Sequence, residues 1–264
     1  MTRTTDQIIL QTRGLTKRFG GLTAIADLDM TVRQGEISSL IGPNGAGKTT
    51  VFNVVTGIYR PDAGTVTFNG NSIGGRKPHR IVADGIARTF QNIRLFPEMT
   101  CLENVMAGHH CRVNAGLLSA LFHSPGQKRE ERKIKAFCRD LLQRVGLETS
   151  QDELAKNIAY GSQRMLEIAR AMATRPQLLV LDEPSSGLNP RETEELILFL
   201  KDLVSEGLTL LIIEHDMKVV MGISDWITVM DEGRKIAEGV PGEIYHNPLV
   251  IEAYLGKEDD EDEP

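Results

Sequence analysis

Long apolar runs, paired cysteines and an excess of basic charge are all missing from this chain. Apolar runs such as Leu178–Leu181 and Leu208–Ile213 are far shorter than the roughly 20 residues that a membrane-spanning helix needs. No apolar segment near the N-terminus resembles a signal peptide. These absences predict a cytosolic chain, in which any role at a membrane depends on partner proteins.

The chain has few cysteines, and their spacing matches no paired-cysteine motif. The three cysteines, Cys101, Cys111 and Cys138, form no C-x-x-C pair, which is typical of reduced thiols in a cytosolic protein. The run His109-His110-Cys111 could suggest a metal site. Adjacent residues rarely point at one ion, and no second ligand cluster accompanies them, so we predict no metal cluster there.

The charge balance argues against a nucleic-acid binder. The chain has 30 basic and 36 acidic residues, and six of the acids form the consecutive run Glu258–Glu263. Without that run the body is neutral, whereas nucleic-acid binding needs a basic face. The acidic tail is predicted to be a disordered, solubilising end.

Residues 42–50 form a complete G-x-x-x-x-G-K-T phosphate loop between a predicted strand, Glu36–Ile41, and a predicted helix, Lys48–Thr56. Glycines let successive N–H groups point at one anion, and the helix adds the positive end of its dipole. The Lys48 ammonium suits the β- and γ-phosphates, and the Thr49 hydroxyl suits a bridging Mg²⁺. The predicted nucleotide-binding residues are Gly42, Pro43, Asn44, Gly45, Ala46, Gly47, Lys48, Thr49 and Thr50.

Two later strands are predicted to complete this site. The apolar run Leu178–Leu181 ends in Asp182 and Glu183, and Leu208–Ile213 is followed closely by His215. Because α/β sheets bind ligands at the carboxyl edge of their strands, these side chains are expected near the phosphates. One acid can hold Mg²⁺, and the other can orient the attacking water.

The pattern along the chain predicts an α/β fold in four parts. Residues 1–97 are a nucleotide-binding core with an antiparallel β subdomain, and residues 98–163 are a helical subdomain with the helix Gln127–Val145. The core resumes at 164–240, with helices at Arg164–Thr174 and Pro190–Ser205. Residues 241–264 form a C-terminal extension. The stretch Val113–Gln127 is either a loop or a short helix.

Over essentially its whole length the order of these segments resembles the nucleotide-binding subunit of ABC transporters. The resemblance implies a P-loop NTPase (RecA-like) core and two cofactors, ATP and Mg²⁺. It implies that Phe19 stacks on adenine, and that Gln91 contacts Mg²⁺ and the attacking water. Mg²⁺ would then be held by Thr49, Gln91 and Asp182, and the catalytic residues would be Glu183, His215 and Gln91.

The family's signature segment departs from its usual Leu-Ser-Gly-Gly-Gln pattern, because Ile158-Ala159-Tyr160-Gly161-Ser162 stands in its place. Ala159 offers no hydroxyl to a phosphate, whereas Gly161 and the following helix still offer N–H groups. A lost neutral hydrogen bond is worth roughly 0.5–1.5 kcal/mol, so weaker nucleotide binding is predicted rather than inactivity. The loop Ser186–Asn189 would cross to an opposing subunit.

Three longer strings resemble one branch of importers, the larger ATP-binding subunit of high-affinity branched-chain amino-acid transporters of the Liv type. They are residues 85–96, residues 160–170 and residues 247–256. This resemblance implies a related second ATP-binding subunit, or a homodimer when the chain is isolated, and two transmembrane permease subunits. A solute-binding protein would act indirectly, nucleic acid is not a partner, and the chain would lie at the cytoplasmic face of the inner membrane.

The sequence leaves alternatives open for the transported solute, the class of ATPase and the role of Phe96-Pro97. Within transporters, the solute could be urea, short amides, other amino acids or exported lipopolysaccharide. A soluble ABC ATPase acting on DNA or ribosomes is disfavoured by the neutral body and the short chain. A regulatory subunit that only binds ATP is disfavoured by Glu183 and His215. Phe96-Pro97 is either a buried aromatic residue with a turn or a contact with a membrane subunit.

Overall fold

The computed structural model describes residues 7–109 and 125–255, which form two β-sheets and the helices around them. The ten strands within those residues are β1 (Ile8–Phe19), β2 (Leu22–Arg33), β3 (Ile37–Ile41), β4 (Ala63–Phe68), β5 (Asn71–Ser72), β6 (Ile86–Arg88), β7 (Leu178–Asp182), β8 (Thr209–Ile213), β9 (Trp226–Asp231) and β10 (Arg234–Gly239). The helices in the same residues are α1 (Lys48–Val55), α2 (Pro78–Asp84), α3 (Cys101–His109), α4 (Pro125–Arg144), α5 (Tyr160–Met172), α6 (Pro190–Ser205), α7 (Met217–Ile223), α8 (Pro241–Tyr245) and α9 (Pro248–Leu255).

The central sheet has six strands in the order β10-β9-β3-β8-β7-β6. All neighbours are parallel except β9 and β10, which pair antiparallel. Strands β3, β7 and β8 are buried at every position, as parallel strands covered on both faces are. Because these three strands run parallel, their carboxyl ends meet at one edge of the sheet, which is where the phosphate loop begins.

A second sheet is antiparallel throughout, in the order β2-β1-β4-β5. It packs against one face of the central sheet, where Leu178 and Val180 share a core with α1. The other face carries Leu179 and Leu181, which pack with the helical region of α3, α4 and α5. One apolar strand, β7, thus joins the two halves of the core.

Most predicted elements are confirmed. Helix α6 has the predicted bounds, and its Asn189 cap forms a capping box in which the side chain accepts from Glu192 N–H at 3.0 Å. The apolar face predicted for the long helix consists of Phe137, Leu141, Leu142 and Val145. It is confirmed, since the last three are buried and Phe137 packs partly buried against the same core.

One predicted helix start was wrong. Helix α5 begins at Tyr160 rather than Arg164. Its cap residue, Ala159, makes no side-chain capping bond, so the sequence carries no local start signal. The helix crosses the predicted boundary between residues 163 and 164, and the three predicted domain boundaries stay predictions.

Some predictions fall outside the described residues. They concern the acidic tail Glu258–Glu263, Cys111 and His110, and the stretch Val113–Gln127, which is described only from Pro125, where α4 begins. Among residues 7–109 and 125–255, none of the helices combines the length and apolar character needed to cross a bilayer.

Candidate functional site

The phosphate loop connects the end of β3 to the start of α1. Gly47 is the N-terminal cap of α1, so no side chain caps the helix. The first turn of the helix therefore presents its N–H groups without a competing side-chain acceptor, the arrangement that binds anions at helix N-termini.

Two glycines in this loop are required by the backbone around them. Gly42 has φ of 149°, and a Cβ there would lie 2.0 Å from the carbonyl oxygen of Met230. Gly47 has φ of 98°, and its Cβ would lie 2.3 Å from the carbonyl oxygen of Ala24. Strands β9 and β2 thus fix the path of the loop through close backbone contact.

Lys48 lies folded back along the loop. Its ammonium Nζ donates to the carbonyl oxygens of Gly42 at 2.6 Å and Pro43 at 2.8 Å. Burial lowers the pKa of Lys48, while the nearby Glu183 and Asp182 carboxylates act in the opposite direction. The lysine therefore sits between the loop and the two acids, where it would meet phosphate oxygens.

Asp182 ends β7 and is paired with a cation that the sequence analysis missed. Arg88 Nη2 lies 2.7 Å from Asp182 Oδ2, and the two side chains are only 7% and 4% exposed. Arg88 also donates to Asn53 Oδ1 at 2.7 Å, which connects α1 to the pair. Burial lowers the pKa of Arg88, and the bond to Asp182 offsets part of that effect. A lone arginine in the short apolar strand β6 was the available signal, because a buried charge needs a partner.

Two predicted catalytic side chains, Gln91 and His215, lie close to one carboxylate oxygen of the third, Glu183. Gln91 Nε2 donates to Glu183 Oε2 at 3.0 Å, and His215 Nδ1 lies 3.5 Å from the same oxygen. Glu183 has φ of 47°, a conformation that costs energy for a residue with a side chain. Its N–H donates to the carbonyl of Ile213 at 2.9 Å. The end of β8 therefore holds Glu183 in this strained position.

Glu214, which the sequence analysis also missed, bonds to the backbone next to Glu183 and at His215. Glu214 is completely buried. Its carboxylate accepts from the N–H of Ser185 at 2.9 Å and from the N–H of His215 at 3.2 Å. It thus joins the segment after Glu183 to the backbone of His215.

Two further predicted residues, Phe19 and Gly161, lie on other elements than the phosphate loop and the strand ends. Phe19 ends β1 and is partly exposed, with its ring centroid 5.1 Å from that of Tyr59. Gly161 is buried near the start of α5, where a Cβ would lie 2.6 Å from Glu192 Oε1. Its neighbour Tyr160 packs on Gly187, where a Cβ would lie 2.7 Å from the tyrosine ring. The signature segment therefore packs closely against the start of α6 and the loop before it within one chain.

The donor set fits a nucleotide with a hard cation. The uncapped start of α1 and the Lys48 ammonium suit phosphate oxygens. Thr49, Gln91 and Asp182 offer hydroxyl, amide and carboxylate oxygens, the ligands that Mg²⁺ prefers. The amide nitrogen of Gln91 is engaged by Glu183, so the amide oxygen is the atom suited to the cation.

Comparison with known families identifies the class of protein. Residues 25–186 match the family model described as ABC transporter, and residues 234–260 match that of the branched-chain amino acid ATP-binding cassette transporter. The chain belongs to the ABC transporter family. It is an ATP-binding subunit of that family and an ATPase, as the resemblance implied.

Individual relatives span nearly the whole chain. It is 48% identical over 250 residues to the high-affinity branched-chain amino acid transport ATP-binding protein BraF of Pseudomonas aeruginosa, covering 94% of this chain and 98% of that protein. It is 48% identical to the protein LivG of Salmonella typhimurium, which bears the same description, over 96% of this chain and 99% of that one. The E. coli K12 LivG is 46% identical over the same shares.

Solved structures confirm the predicted fold class. A nucleotide-free ATP-binding cassette from an ABC transporter superposes with a TM-score of 0.83 at 33% identity, covering 95% of this chain and 100% of that one. A cassette described in its ADP conformation gives a TM-score of 0.83 at 32% identity, with 95% and 99% covered.

Proposed function

We propose that this chain is the ATP-hydrolysing subunit of an importer that takes up leucine, isoleucine and valine across the inner membrane. The observation that carries the proposal is the meeting of Gln91, Glu183 and His215 beside the phosphate loop. Relatives at 46–48% identity that are described as branched-chain amino acid transport proteins support the solute.

Different residues would bind the phosphates, the adenine and the cation. The loop N–H groups and Lys48 bind the phosphates, and Phe19 provides a partly exposed ring for adenine. Mg²⁺, held by Thr49, Gln91 and Asp182, would neutralise charge on the phosphate oxygens.

Glu183 would orient the attacking water and accept its proton as the new bond to the γ-phosphorus forms and the bond from the γ-phosphorus to the β–γ bridging oxygen breaks. His215 lies at the same carboxylate oxygen and is suited to contact the γ-phosphate. Gln91 contacts Glu183 and would also reach the cation. The expelled product is ADP, and the proton leaves Glu183 with inorganic phosphate or solvent.

The proposed assembly is a head-to-tail pair with a second, related ATP-binding subunit, bound to two transmembrane permease subunits at the cytoplasmic face. The isolated chain could instead form a homodimer, and a solute-binding protein would act indirectly. Gly161 and the start of α5 would contact the ATP of the opposing subunit. Phe96 is 48% exposed and therefore is not the buried aromatic residue that was one alternative, which favours its contact with a permease subunit.

The test replaces Glu183 with glutamine, which keeps the size and removes the base. We expect ATP turnover of Glu183→Gln to fall at least about 100-fold, with ATP binding retained. Leucine uptake should be lost in cells that carry this variant as their only copy. The matched control is Glu195→Gln, which changes an exposed glutamate paired with Arg191 and should leave both activities unchanged.

Three results would each contradict a separate part of the proposal. Near-normal turnover in Glu183→Gln would remove the catalytic assignment. Normal leucine, isoleucine and valine uptake in cells that lack the chain would remove the solute assignment. Purification of Glu183→Gln from native membranes with Mg-ATP should also recover two polytopic subunits and a second ATPase, whereas recovery of DNA or ribosomes would contradict the transporter.

A further inference from the structure

The largest completely buried side chain with a charge is Arg164, in the second turn of α5. Its guanidinium does not point to solvent but to the backbone of another segment. Nη1 donates to the carbonyl of Phe90 at 2.8 Å, and Nη2 donates to the carbonyl of Gln91 at 2.8 Å. The arginine thus holds two successive carbonyls with the two arms of its fork.

Glu167 lies one turn further along α5 and is 1% exposed. Its Oε2 accepts from Arg164 Nη1 at 3.1 Å, and its Oε1 accepts from the N–H of Arg94 at 3.1 Å. Together the two side chains hold residues 90, 91 and 94 by their backbone. We call residues 89–94 the glutamine segment.

The other side of the glutamine segment is fixed to the central sheet. The N–H of Thr89 donates to the carbonyl of Val180 in β7 at 3.0 Å. Gln91 therefore lies between one anchor on the sheet and one on α5, and its exposed side chain reaches Glu183. A shift of α5 relative to β7 must move Gln91 relative to Glu183.

Stability alone does not account for this pair. Burial raises the pKa of Glu167, although the N–H of Arg94 and the Arg164 guanidinium favour its charged form. Buried ion pairs of this kind are often no more stabilising than apolar residues of the same volume. What apolar residues would not supply is the fork of donors aimed at the carbonyls of Phe90 and Gln91.

We propose that Arg164 and Glu167 are positioning residues that tie the glutamine segment to α5, so that the helix carrying the signature segment sets the position of Gln91 at Glu183. This inference rests on the proposed function, because it assigns a role in ATP hydrolysis through Gln91. Neither side chain contacts Glu183 or the phosphate loop among the contacts of the described residues.

The decisive variant is the double replacement Arg164→Met with Glu167→Met. It removes both charges at similar volume, so the fold should persist, while the bonds to the glutamine segment are lost. We expect the affinity for ATP to stay near the wild-type value and the melting temperature to fall moderately, because two carbonyls and one N–H lose their partners. We expect kcat, measured well below that temperature, to fall at least about tenfold, as for a misplaced catalytic group. Amide exchange in a peptide covering residues 89–95 should become faster.

The matched control is Arg144→Met with Glu206→Met, which removes an ion pair between a partly exposed arginine at the end of α4 and an exposed glutamate just after α6. It should leave kcat and the exchange of residues 89–95 unchanged. A double variant at 164 and 167 with wild-type kcat would overturn the proposal. Should that variant fail to fold, Arg164→Lys decides, because lysine keeps the charge without the fork; wild-type kcat and exchange there would overturn it.

Failure of this proposal can be told from failure of the proposed function. If Glu183→Gln is inactive but the double variant turns over normally, only the positioning role is lost. If the wild-type chain and Glu183→Gln turn over ATP alike, the assignment of the site itself is lost.

Discussion

At the scale of single residues, the phosphate loop depends on two backbone contacts that leave no room for a side chain. Replacing Gly42 with alanine places a Cβ 2.0 Å from the carbonyl oxygen of Met230. We expect Gly42→Ala to lower the free energy of unfolding by more than about 2 kcal/mol, since overlap adds to left-handed strain. The matched control is Gly45→Ala, where φ is 81° but nothing lies within 4 Å, and which should cost about 1 kcal/mol. Urea denaturation measures both, and equal losses would contradict this account.

The residues predicted from the sequence are those whose signal is local. The phosphate loop, the Asp182-Glu183 pair and His215 each follow a recognisable apolar strand, so their meeting at one edge could be predicted. Arg88 and Glu214 were missed because their partners lie far away in the chain or are backbone groups. Their roles in this site, like those of the predicted residues, stay proposals.

At the scale of elements, the ion pair between Arg88 and Asp182 joins β6 to β7 at the edge of the site. Arg88→Met would leave a buried carboxylate without its cation, and we expect a loss of about 3–5 kcal/mol in the free energy of unfolding. Adding Asp182→Asn to that variant should recover part of the loss, because the uncompensated charge is gone. Arg76→Met, which breaks the exposed pair with Asp84, should cost less than about 1 kcal/mol.

Chemical denaturation distinguishes these outcomes. If Arg88→Met were as stable as Arg76→Met, the pair would contribute little to holding the strands together. If Asp182→Asn added a further loss instead of a recovery, the carboxylate would have another partner in the folded chain.

Elements themselves were predicted well where periodicity and caps agree, as in α6 with Asn189 and Pro190. The start of α5 was not, because the cap residue Ala159 has no capping side chain and the first helical residues, Tyr160 and Gly161, are weak helix formers. Packing decides that boundary: Gly161 lies against Glu192, and Tyr160 lies against Gly187. The residue pattern of a single helix does not predict its contacts with distant segments.

At the scale of the whole molecule, two of the cysteines report on the integrity of the helical region. Cys101 and Cys138 are completely buried in its core. Burial raises the pKa of Cys138 to about 11 and also raises the pKa of Cys101. Because only the thiolate reacts, both thiols should be labelled slowly at pH 8 in the folded chain and rapidly in urea.

The direction in which pH changes the free energy of unfolding follows from the raised pKa of Cys138. The unfolded thiol of Cys138 ionises at a lower pH than the folded one, so its contribution to stability is complete below the unfolded pKa. That contribution is lost as the pH rises toward about 11. Mass spectrometry of the labelled peptides is the measurement, with the melting temperature followed from pH 8 upward. Fast labelling of Cys138 under native conditions would contradict the packing described for α4.

The close contact between the Tyr160 ring and the backbone of Gly187 restricts how these two positions can change during evolution. A side chain at 187 would force an aromatic ring at 160 to move and would also adopt a left-handed backbone, since φ there is 79°, whereas glycine at 160 removes the first of these two costs. The two positions, separated by 26 intervening residues and so far apart in sequence, should therefore covary across lineages, and an intermediate with a side chain at both would be selected against.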